Sequence, residues 1–349
     1  MHPEHSLIEG NYLQDVLQQP QALAETFDSL RMSPPLAKLV KQVCKKKFER
    51  IVLTGMGSSF HALHPLNLTL VGQGLTPVEV ETSELIHYKR RFFDPRTLVI
   101  AVSQSGRSAE IIRLLQVNRN RSVVIGVTNT ADSPLAKRAD AAVLTKAGQE
   151  FSVSCKTYVT ALMALSWLGD LFCGRDSKRA GADLKRAAPT VAAYLSNWKS
   201  HVECLTQMLA GIRHLFLVGR GNSLAAVGTG ALIIKEADHF HAEGMSSAAF
   251  RHGPLEMLSE EIFVLVFAGD TKTTKLNRRL LQDVLDHKGK AALVEKKSEC
   301  PAFRISASST GVHSMLEILV VQMITLALAA RAGREPGRFE LASKVTTTE

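Results

Sequence analysis

Residues 50–66, RIVLTGMGSSFHALHPL, and residues 214–230, HLFLVGRGNSLAAVGTG, share one layout. Each segment is a short apolar run typical of a buried strand, followed by Gly-x-Gly-x-Ser and then by residues typical of a helix. Gly55 and Gly57 of the first segment recur 164 positions later as Gly219 and Gly221. The repetition indicates that one structural unit occurs twice in the chain.

The strands that follow keep nearly the same offset. TLVIAVSQSG (97–106) corresponds to EIFVLVFAGD (261–270), and SVVIGVTN (122–129) has a weaker counterpart in KAALVEK (290–296). Apolar strands that alternate with helices predict parallel sheets covered on both faces. We therefore predict an α/β protein with two tandem, doubly wound, flavodoxin-like parallel-sheet domains related by internal duplication.

The segments between these patterns suggest the domain boundaries. We predict an N-terminal helical arm that breaks at Pro34-Pro35, a first domain, a linker helix, and a second domain with a C-terminal tail. Their ranges are 1–34, 35–176, 177–207 and 208–349, respectively.

Composition restricts the class of protein. A hydrophobic share of 45% with 21% charged residues is typical of a folded globular chain. The five scattered cysteines form no CxxC pair, which favours a reducing cytoplasm over a disulfide framework or zinc ribbon. The N-terminus lacks the pattern of a signal peptide, and the apolar run 315–330 is too short to span a bilayer comfortably, so we expect no membrane partner.

The net charge of +9 suits an anionic ligand. The basic cluster CKKKFER (44–50) has no nucleic-acid motif around it and is typical of a solvated helix end, so we expect no nucleic-acid partner. In open parallel sheets, ligands bind where strands end and loops enter helices. SQSGRSAE (103–110) is such a loop, and its hydroxyl and amide groups at a predicted helix start favour phosphate. A loop that only caps the helix is the alternative.

The sequence also contains partial patterns for a dinucleotide site and for a metal site. Gly55-x-Gly57 partly matches the dinucleotide fingerprint, and Glu79 stands near the position of a ribose-binding acid, but Phe60 replaces the third glycine. A nicotinamide enzyme is therefore a minority alternative. His239-x-His241-x-Glu243 could be drawn as metal ligands, but no further ligand cluster supports them. We expect neither a metal nor a cofactor.

Several segments together carry a resemblance to a known family. GMGSS, SQSGRSAE, the run GRGNSLAAVGTGALIIKEADHFHAEGMSSAAFRHGPLEML (219–258) and the ending LASKVTTTE resemble the sugar isomerase (SIS) family. The similarity is greatest to the isomerase half of glucosamine-6-phosphate synthase and its stand-alone relatives, the SIS-type glucosamine-6-phosphate deaminases and ketosamine-6-phosphate deglycases. The synthase's glutaminase domain is not found before the first strand, so we expect that this chain does not take ammonia from glutamine.

The resemblance implies a set of site residues. The side chains expected to hold the substrate phosphate are Ser58, Ser59, Ser103, Gln104, Ser105 and Ser108; further residues expected to line the substrate are Gly57, Val153 and Ser343. The family's proton-moving glutamate corresponds to Glu236, and its ring-opening histidine, which reaches the partner subunit's site, corresponds to His252. The resemblance thus implies a homodimer. Taken alone, a histidine beside Gly253-Pro254 is also typical of a structural loop edge.

These roles suit the chemistry. A carboxylate can shuttle a proton between neighbouring carbons, and an imidazole can give or take a proton near neutral pH during ring opening.

The sequence departs from the family at three places. The synthase and the deaminases have a glutamate and a lysine where this chain has Thr229 and Ile233, and the deglycases also lack that lysine. The tail lysine of the synthase and deaminases aligns with Ser343, and Lys344 follows; Lys344 either substitutes for it as a catalytic residue or is an exposed terminal residue.

We therefore expect an enzyme acting on an amino-sugar or hexose phosphate without a cofactor. Isomerising deamination of glucosamine 6-phosphate to fructose 6-phosphate and ammonia is the leading interpretation. Deglycation of a fructose-amine 6-phosphate is the alternative, and a non-catalytic sugar-phosphate-binding regulator is the alternative of another class.

Overall fold

The computed structural model describes residues 5–176, 178–306, 308–341 and 343–346. The chain forms two compact units. The first unit comprises residues 21–149, 156–186 and 342–349, and the second comprises residues 1–20, 150–155 and 187–341.

The first unit contains a five-stranded parallel sheet with strand order β2-β1-β3-β4-β5. Its strands are β1 (Arg50–Gly55), β2 (Pro77–Glu81), β3 (Thr97–Val102), β4 (Val123–Thr128) and β5 (Ala141–Leu144). Every residue of β3 is buried, as expected for a central strand covered on both faces.

The second unit contains a four-stranded parallel sheet with strand order β7-β6-β8-β9. Its strands are β6 (His214–Gly219), β7 (His241–Ser246), β8 (Ile262–Phe267) and β9 (Lys290–Val294). The two sheets share the order of their first four strands, which confirms the predicted tandem, doubly wound fold.

Helices connect the strands of both sheets. In chain order they are α1 (Asn11–Leu17), α2 (Gln19–Ser29), α3 (Pro34–Cys44), α4 (Gly57–His61), α5 (His64–Gly72), α6 (Thr82–Tyr88), α7 (Ala109–Asn118), α8 (Pro134–Arg138), α9 (Lys156–Phe172), α10 (Ala187–Leu195), α11 (Trp198–Met208), α12 (Leu224–Asp238), α13 (Ser247–Phe250), α14 (Thr274–Asp286) and α15 (Thr310–Ala332).

The second sheet carries different helices on its two faces. A Cβ on Gly230 of α12 would lie 2.7 Å from the Leu217 side chain, so α12 packs closely on the face to which Leu217 points. Phe216 stacks edge-on against Phe250 of α13, with ring centroids 5.1 Å apart. Because successive side chains of a strand point to opposite faces, α12 and α13 cover opposite faces of this sheet.

Helix α15 is a core helix of the second unit. It is long and apolar enough to cross a membrane, but 94% of its most apolar window is buried inside the protein. Burial of the apolar run 315–330 agrees with its interpretation as a buried helix.

The two units differ from the predicted boundaries at the chain ends. Residues 1–20 belong with the second unit, since the Thr325 hydroxyl donates to Tyr12 Oη (2.9 Å) and Gln19 donates to Gln322 (2.8 Å). The tail, residues 342–349, belongs with the first unit. Pro34 is a helix start rather than a break, because Ser33 caps α3 and proline fits its first turn.

The region predicted as one linker helix, 177–207, is also different. Within its described part it contains a short 3-10 turn (Ala182–Arg186), α10 and most of α11. The two helices are separated at Ser196 and Asn197, where Asn197 has a non-helical backbone at the start of α11.

Candidate functional site

The first sheet has a topological switch point between β1 and β3. The chain passes from β1 to β2 on one side, and β3 lies on the other side of β1. Ligands of doubly wound proteins bind at such a point, beyond the carboxyl ends of the strands. Ser58 and Ser59 lie in the first turn of α4, directly after β1, and the loop after β3 carries Ser103–Ser108, so both predicted phosphate-binding segments lie at this edge.

The loop after β3 is held in shape by its own hydroxyl groups. Ser103 Oγ accepts from the Gly106 amide (3.1 Å), and Ser105 Oγ accepts from the Arg107 amide (3.2 Å). The side chain of Ser108, which precedes α7, makes no capping hydrogen bond to the helix within the described structure. The loop thus places three serine hydroxyls directly before the start of α7, the kind of position at which proteins bind anions.

Residues after β4 support this loop, and the sequence analysis did not single them out. Thr128 Oγ1 donates to the Gln104 carbonyl (3.1 Å). Gly106 has φ +60°, and a Cβ there would lie 2.3 Å from Ser133 Oγ. Position 106 therefore requires glycine, both because its φ is positive and because a Cβ would collide with Ser133. The signal was the hydroxyl-rich run TNTADS that follows the third predicted strand.

The loop after β1 is shorter. Gly57 has φ +53° and begins α4, and Ser58 and Ser59 lie half-buried in its first turn. Glu79, the acid of the dinucleotide alternative, accepts from Asn67 Nδ2 (2.8 Å) and contacts His64 Nδ1 (3.4 Å). The carboxylate that would bind a ribose thus already contacts two side chains of the protein, which disfavours a nicotinamide enzyme.

The C-terminal tail lies against the phosphate loop of the same unit. The Thr346 carbonyl accepts from the amide of Ala109, the first residue of α7 (3.1 Å). Ser343 Oγ donates to the Val345 carbonyl (2.9 Å), and Lys344 is half-buried between them. The structure therefore brings Ser343 and Lys344 into the neighbourhood of Ser103–Ser108.

Glu236 lies in the last turn of α12, in the second unit, and is half-buried. Thr229 and Ile233, which stand where relatives have a glutamate and a lysine, are fully buried in the same helix. Residues at these spacings share one face of a helix, so the departures convert part of the face near Glu236 into core.

The segment 150–155, which includes Val153, is tied to the end of α12. Ser152 Oγ donates to the Gly337 carbonyl (2.8 Å), and the Gly337 amide donates to the Ala237 carbonyl (3.0 Å). Val153 itself is 1% exposed. The predicted substrate-lining segment is therefore connected to the residue next to Glu236, within the second unit.

His252 lies in an exposed turn after α13. Its amide donates to the Ala249 carbonyl (2.9 Å), and the neighbouring Arg251 forms an ion pair with Asp283 of α14. Because α12 and α13 cover opposite faces of the sheet, Glu236 and His252 of one chain belong to opposite layers. The structure does not bring these two residues together within the second unit.

The possible metal ligands do not form a cluster. His241 packs edge-on against His214, with ring centroids 5.0 Å apart, and His239 Nδ1 lies 3.9 Å from Glu340. Among the residues that the structure describes, no three histidine, cysteine or acidic side chains are arranged to hold a metal ion.

Comparison with known proteins agrees with the duplicated fold. The SIS domain model matches residues 45–169 and 208–331, one match for each sheet. The glutamine–fructose-6-phosphate aminotransferase (isomerizing) of Pyrococcus horikoshii is 28% identical over 97% of this chain and 57% of its own length. That of Sulfurisphaera tokodaii is 26% identical over 97% of this chain and 56% of its own length. The chain thus spans a little over half the length of these relatives.

Solved structures share the fold. The C-terminal domain of glucosamine-fructose-6-phosphate aminotransferase from Francisella tularensis superposes with a TM-score of 0.81 at 20% identity, covering 93% of this chain and 96% of that domain. Glucosamine-6-phosphate deaminase from Thermotoga maritima superposes with a TM-score of 0.79 at 18% identity, covering 97% of this chain and all of that protein. Since the family model covers both parallel sheets, this chain belongs to the SIS domain family.

Proposed function

We propose that this protein is a cytoplasmic, homodimeric phosphosugar enzyme that converts glucosamine 6-phosphate to fructose 6-phosphate and ammonia. The observation that carries the proposal is the Ser103–Ser108 loop, which places three serine hydroxyls before α7 at the switch point of the first sheet. The aminotransferase relatives, whose name includes an isomerizing activity, support the same substrate class.

In this proposal the phosphate of the substrate binds to the first unit. Ser103, Ser105 and Ser108 provide hydroxyl donors, Gln104 provides an amide, and Ser58 and Ser59 contribute from the loop after β1. Each neutral hydrogen bond contributes about 0.5–1.5 kcal/mol, and bonds to a charged phosphate contribute about 1.5–3 kcal/mol. Several such bonds are needed to hold a dianion, and the two loops together supply them.

Glu236 moves the proton in the isomerisation step. Its carboxylate removes the hydrogen from C2 of the open-chain amino aldehyde and returns a proton to C1, while the carbonyl oxygen on C1 becomes a hydroxyl. The amine on C2 is thereby converted to an imine. Water then adds to C2, ammonia leaves, and the C2 carbonyl of fructose 6-phosphate forms. A positioned carboxylate of this kind contributes about 10²–10⁴-fold in rate.

His252 opens the sugar ring by taking the proton of the anomeric hydroxyl and giving a proton to the ring oxygen. Its exposed position, on the face of the second sheet opposite to α12, supports a role in the site of a second copy of the chain. A twofold dimer is the simplest arrangement in which each copy supplies His252 to the other.

In this proposal the C-terminal tail provides one further polar group, Lys344, to the substrate site. Lys344 follows Ser343 beside the phosphate loop, and we propose that its ammonium takes the place of the family's tail lysine. A Lys344→Gln variant with an unchanged KM and kcat would exclude this role.

Deglycation of a fructose-amine 6-phosphate is the second candidate, and buried Ile233 favours it. The deglycases lack the lysine at this position, and Ile233 is 0% exposed in α12, so the position carries no charge toward a substrate. A ketosamine and an amino aldose pass through related enolamine intermediates, so the same Glu236 could serve both reactions.

The test is to offer glucosamine 6-phosphate and fructoselysine 6-phosphate separately, with no added cofactor, and to measure all four products. Ammonia with fructose 6-phosphate from the first supports deamination, and lysine with glucose 6-phosphate from the second supports deglycation. Glu236→Gln should abolish either activity, whereas Glu203→Gln, a matched change at an exposed glutamate of α11, should leave it unchanged. Binding of both compounds without turnover would instead indicate a regulator.

A further inference from the structure

The second sheet has its own switch point, and a cavity of about 400 Å³ lies there. The order β7-β6-β8-β9 places this switch point between β6 and β8, as it lies between β1 and β3 in the first sheet. The cavity is lined by residues that follow β6 and β8 and by residues at the start of α15. Six of its polar lining residues are Asn222, Ser223, Asp270, Thr271, Lys296 and His313.

The cavity differs from the phosphate loop of the first unit. Val102 ends β3 and Phe267 ends β8, so Ala268-Gly269-Asp270 stands in the position of Ser103-Gln104-Ser105. The loop after β8 therefore lacks the two serines, and Asp270 lines the cavity instead. Asp270 Oδ1 accepts from the Lys272 amide (2.9 Å) and lies 3.4 Å from the Thr273 hydroxyl at the start of α14. This carboxylate offsets the positive end of α14.

His313 lines the cavity near the start of α15, and the buried carboxylate of Glu317 lies behind it. Glu317 is fully buried, and its Oε1 accepts from Ser223 Oγ (2.6 Å) and contacts His313 Nε2 (3.3 Å). Its Oε2 has no hydrogen-bond partner in the described part of the chain. Burial alone would lower the pKa of His313, but the hydrogen bond and the charge of Glu317, together with Asp270, raise it above the ordinary value. The contact with Glu317 therefore favours the protonated form of an imidazole that lines the cavity.

The same side of the cavity carries further positive charge. Helix α15 begins at this wall with Thr310, and Ser309 before it makes no side-chain capping hydrogen bond to the helix within the described structure. Uncapped helix starts present N–H groups that attract anions. Lys296 adds an ammonium, whereas Arg278 is paired with Glu295 (2.6 Å). Positive groups therefore meet at the α15 side, and Asp270 lies on the α14 side.

We propose that this cavity is a second ligand site, specific for the phosphate monoester of a polyol. The phosphate lies at the start of α15 between His313 and Lys296, and the hydroxyl groups of the polyol bind to Asp270, Asn222 and Thr271. Carboxylate and amide oxygens accept from sugar hydroxyls, which explains why Asp270 replaces a serine at a site that takes an anion. The site is separate from the substrate site proposed above, because none of the substrate-site residues named there lines this cavity.

The test uses sorbitol 6-phosphate, an open-chain polyol phosphate without a carbonyl, and the imidazole NMR signals of the full-length protein. The His313 signal, assigned with His313→Gln, should shift and saturate as sorbitol 6-phosphate is added. Lys296→Gln should weaken this response about fivefold, the upper range for a pair near the surface. Lys297→Gln removes the neighbouring exposed lysine, which does not line the cavity, and should change it less than twofold.

Two results would overturn the proposal. One is a His313 signal that stays unmoved while other histidine signals respond, since binding would then be confined to the first unit. The other is an equal response to inorganic phosphate and to sorbitol 6-phosphate, which would exclude recognition of the polyol. The readout needs no turnover, so a chain that is inactive on glucosamine 6-phosphate can still carry this site, and an active chain can lack it.

Discussion

Asp238 is a buried carboxyl at the end of α12, two residues beyond Glu236. Neither of its carboxyl oxygens has a hydrogen-bond partner among the described residues. Burial raises its pKa well above the ordinary value, and the charge of Arg334 opposes this shift only in part. The folded protein therefore holds this proton more tightly than the unfolded chain does.

This predicts that Asp238→Asn stabilises the protein at neutral pH. A carboxyl whose folded pKa is raised contributes stability that is complete below its unfolded value, near 3.8, and is lost as the pH rises toward the folded value. At pH 7–8 the variant should gain at least about 1.4 kcal/mol in the free energy of unfolding, the equivalent of one pKa unit, because asparagine has no proton to lose when the chain unfolds. Urea unfolding at pH 4 and pH 8 measures it. Asp286→Asn, at an exposed aspartate, is the control, and an equal gain there would contradict the explanation.

We expect the thiol of Cys204 in α11 to react slowly with alkylating reagents. Burial, together with a 3.0 Å contact with the Cys300 thiol, raises the pKa of Cys204 to about 11. Since the thiolate is the reactive form, iodoacetamide at pH 8 should modify Cys204 about a hundredfold more slowly than it modifies N-acetylcysteine. Cys300→Ser should accelerate the modification, because the Cys300 thiol is one of the groups that raise the pKa. Peptide mass spectrometry over time measures both rates, and modification at the rate of N-acetylcysteine would contradict the prediction.

At the scale of single elements, the loop between β3 and α7 depends on one glycine. Gly106 and Gly148 both have positive φ, but only at Gly106 would a Cβ collide with Ser133, since nothing in the described structure lies within 4 Å of a Cβ at Gly148. Both alanine variants should lose about 1–2 kcal/mol of stability from backbone strain. Gly106→Ala should in addition raise the KM for glucosamine 6-phosphate at least tenfold. Equal KM values for the two variants would show that the shape of this loop does not determine substrate binding.

The sequence predicted the central strands better than the edge strands. Strands β1, β3, β6 and β8 are continuous apolar runs, which is the pattern of strands buried on both faces. The edge strands β2 (PVEVE) and β7 (HAEGMS) are polar and half-buried, so they give no apolar run to detect. The break between α10 and α11 was missed because Ser196 and Asn197 interrupt a pattern that is otherwise helical on both sides.

At the scale of the whole molecule, the candidate site was predictable by type but not by arrangement. The loops after β1 and β3 were predictable from their position at strand ends. The opposite placement of α12 and α13 was not, because it depends on which side chains of β6 point to which face. The cavity of the second unit was missed because its loop, Ala268-Gly269-Asp270, no longer resembles the serine loop.

The proposed contribution of His252 to the partner subunit's site predicts complementation between inactive subunits. Glu236→Gln and His252→Ala should each be inactive as homodimers, because each copy lacks one of the two groups. A mixed dimer contains one site with both Glu236 and His252, so re-associated mixtures should recover up to half of the activity per mixed dimer. Activity is measured after separating mixed dimers by two different affinity tags. Verified mixed dimers without activity would contradict the contribution of His252 across subunits.

The central claim, that Glu236 moves a proton on a phosphosugar, is tested most directly with glucosamine 6-phosphate deuterated at C2. The proposal predicts that the C2–deuterium bond breaks, that the deuterium appears at C1 of fructose 6-phosphate or in water, and that Glu236→Gln leaves the bond intact. NMR of the recovered sugar phosphates measures the position of the isotope. Substrate that binds to the protein and keeps all of its deuterium at C2 would contradict the claim and would make this chain a sugar-phosphate-binding protein without turnover.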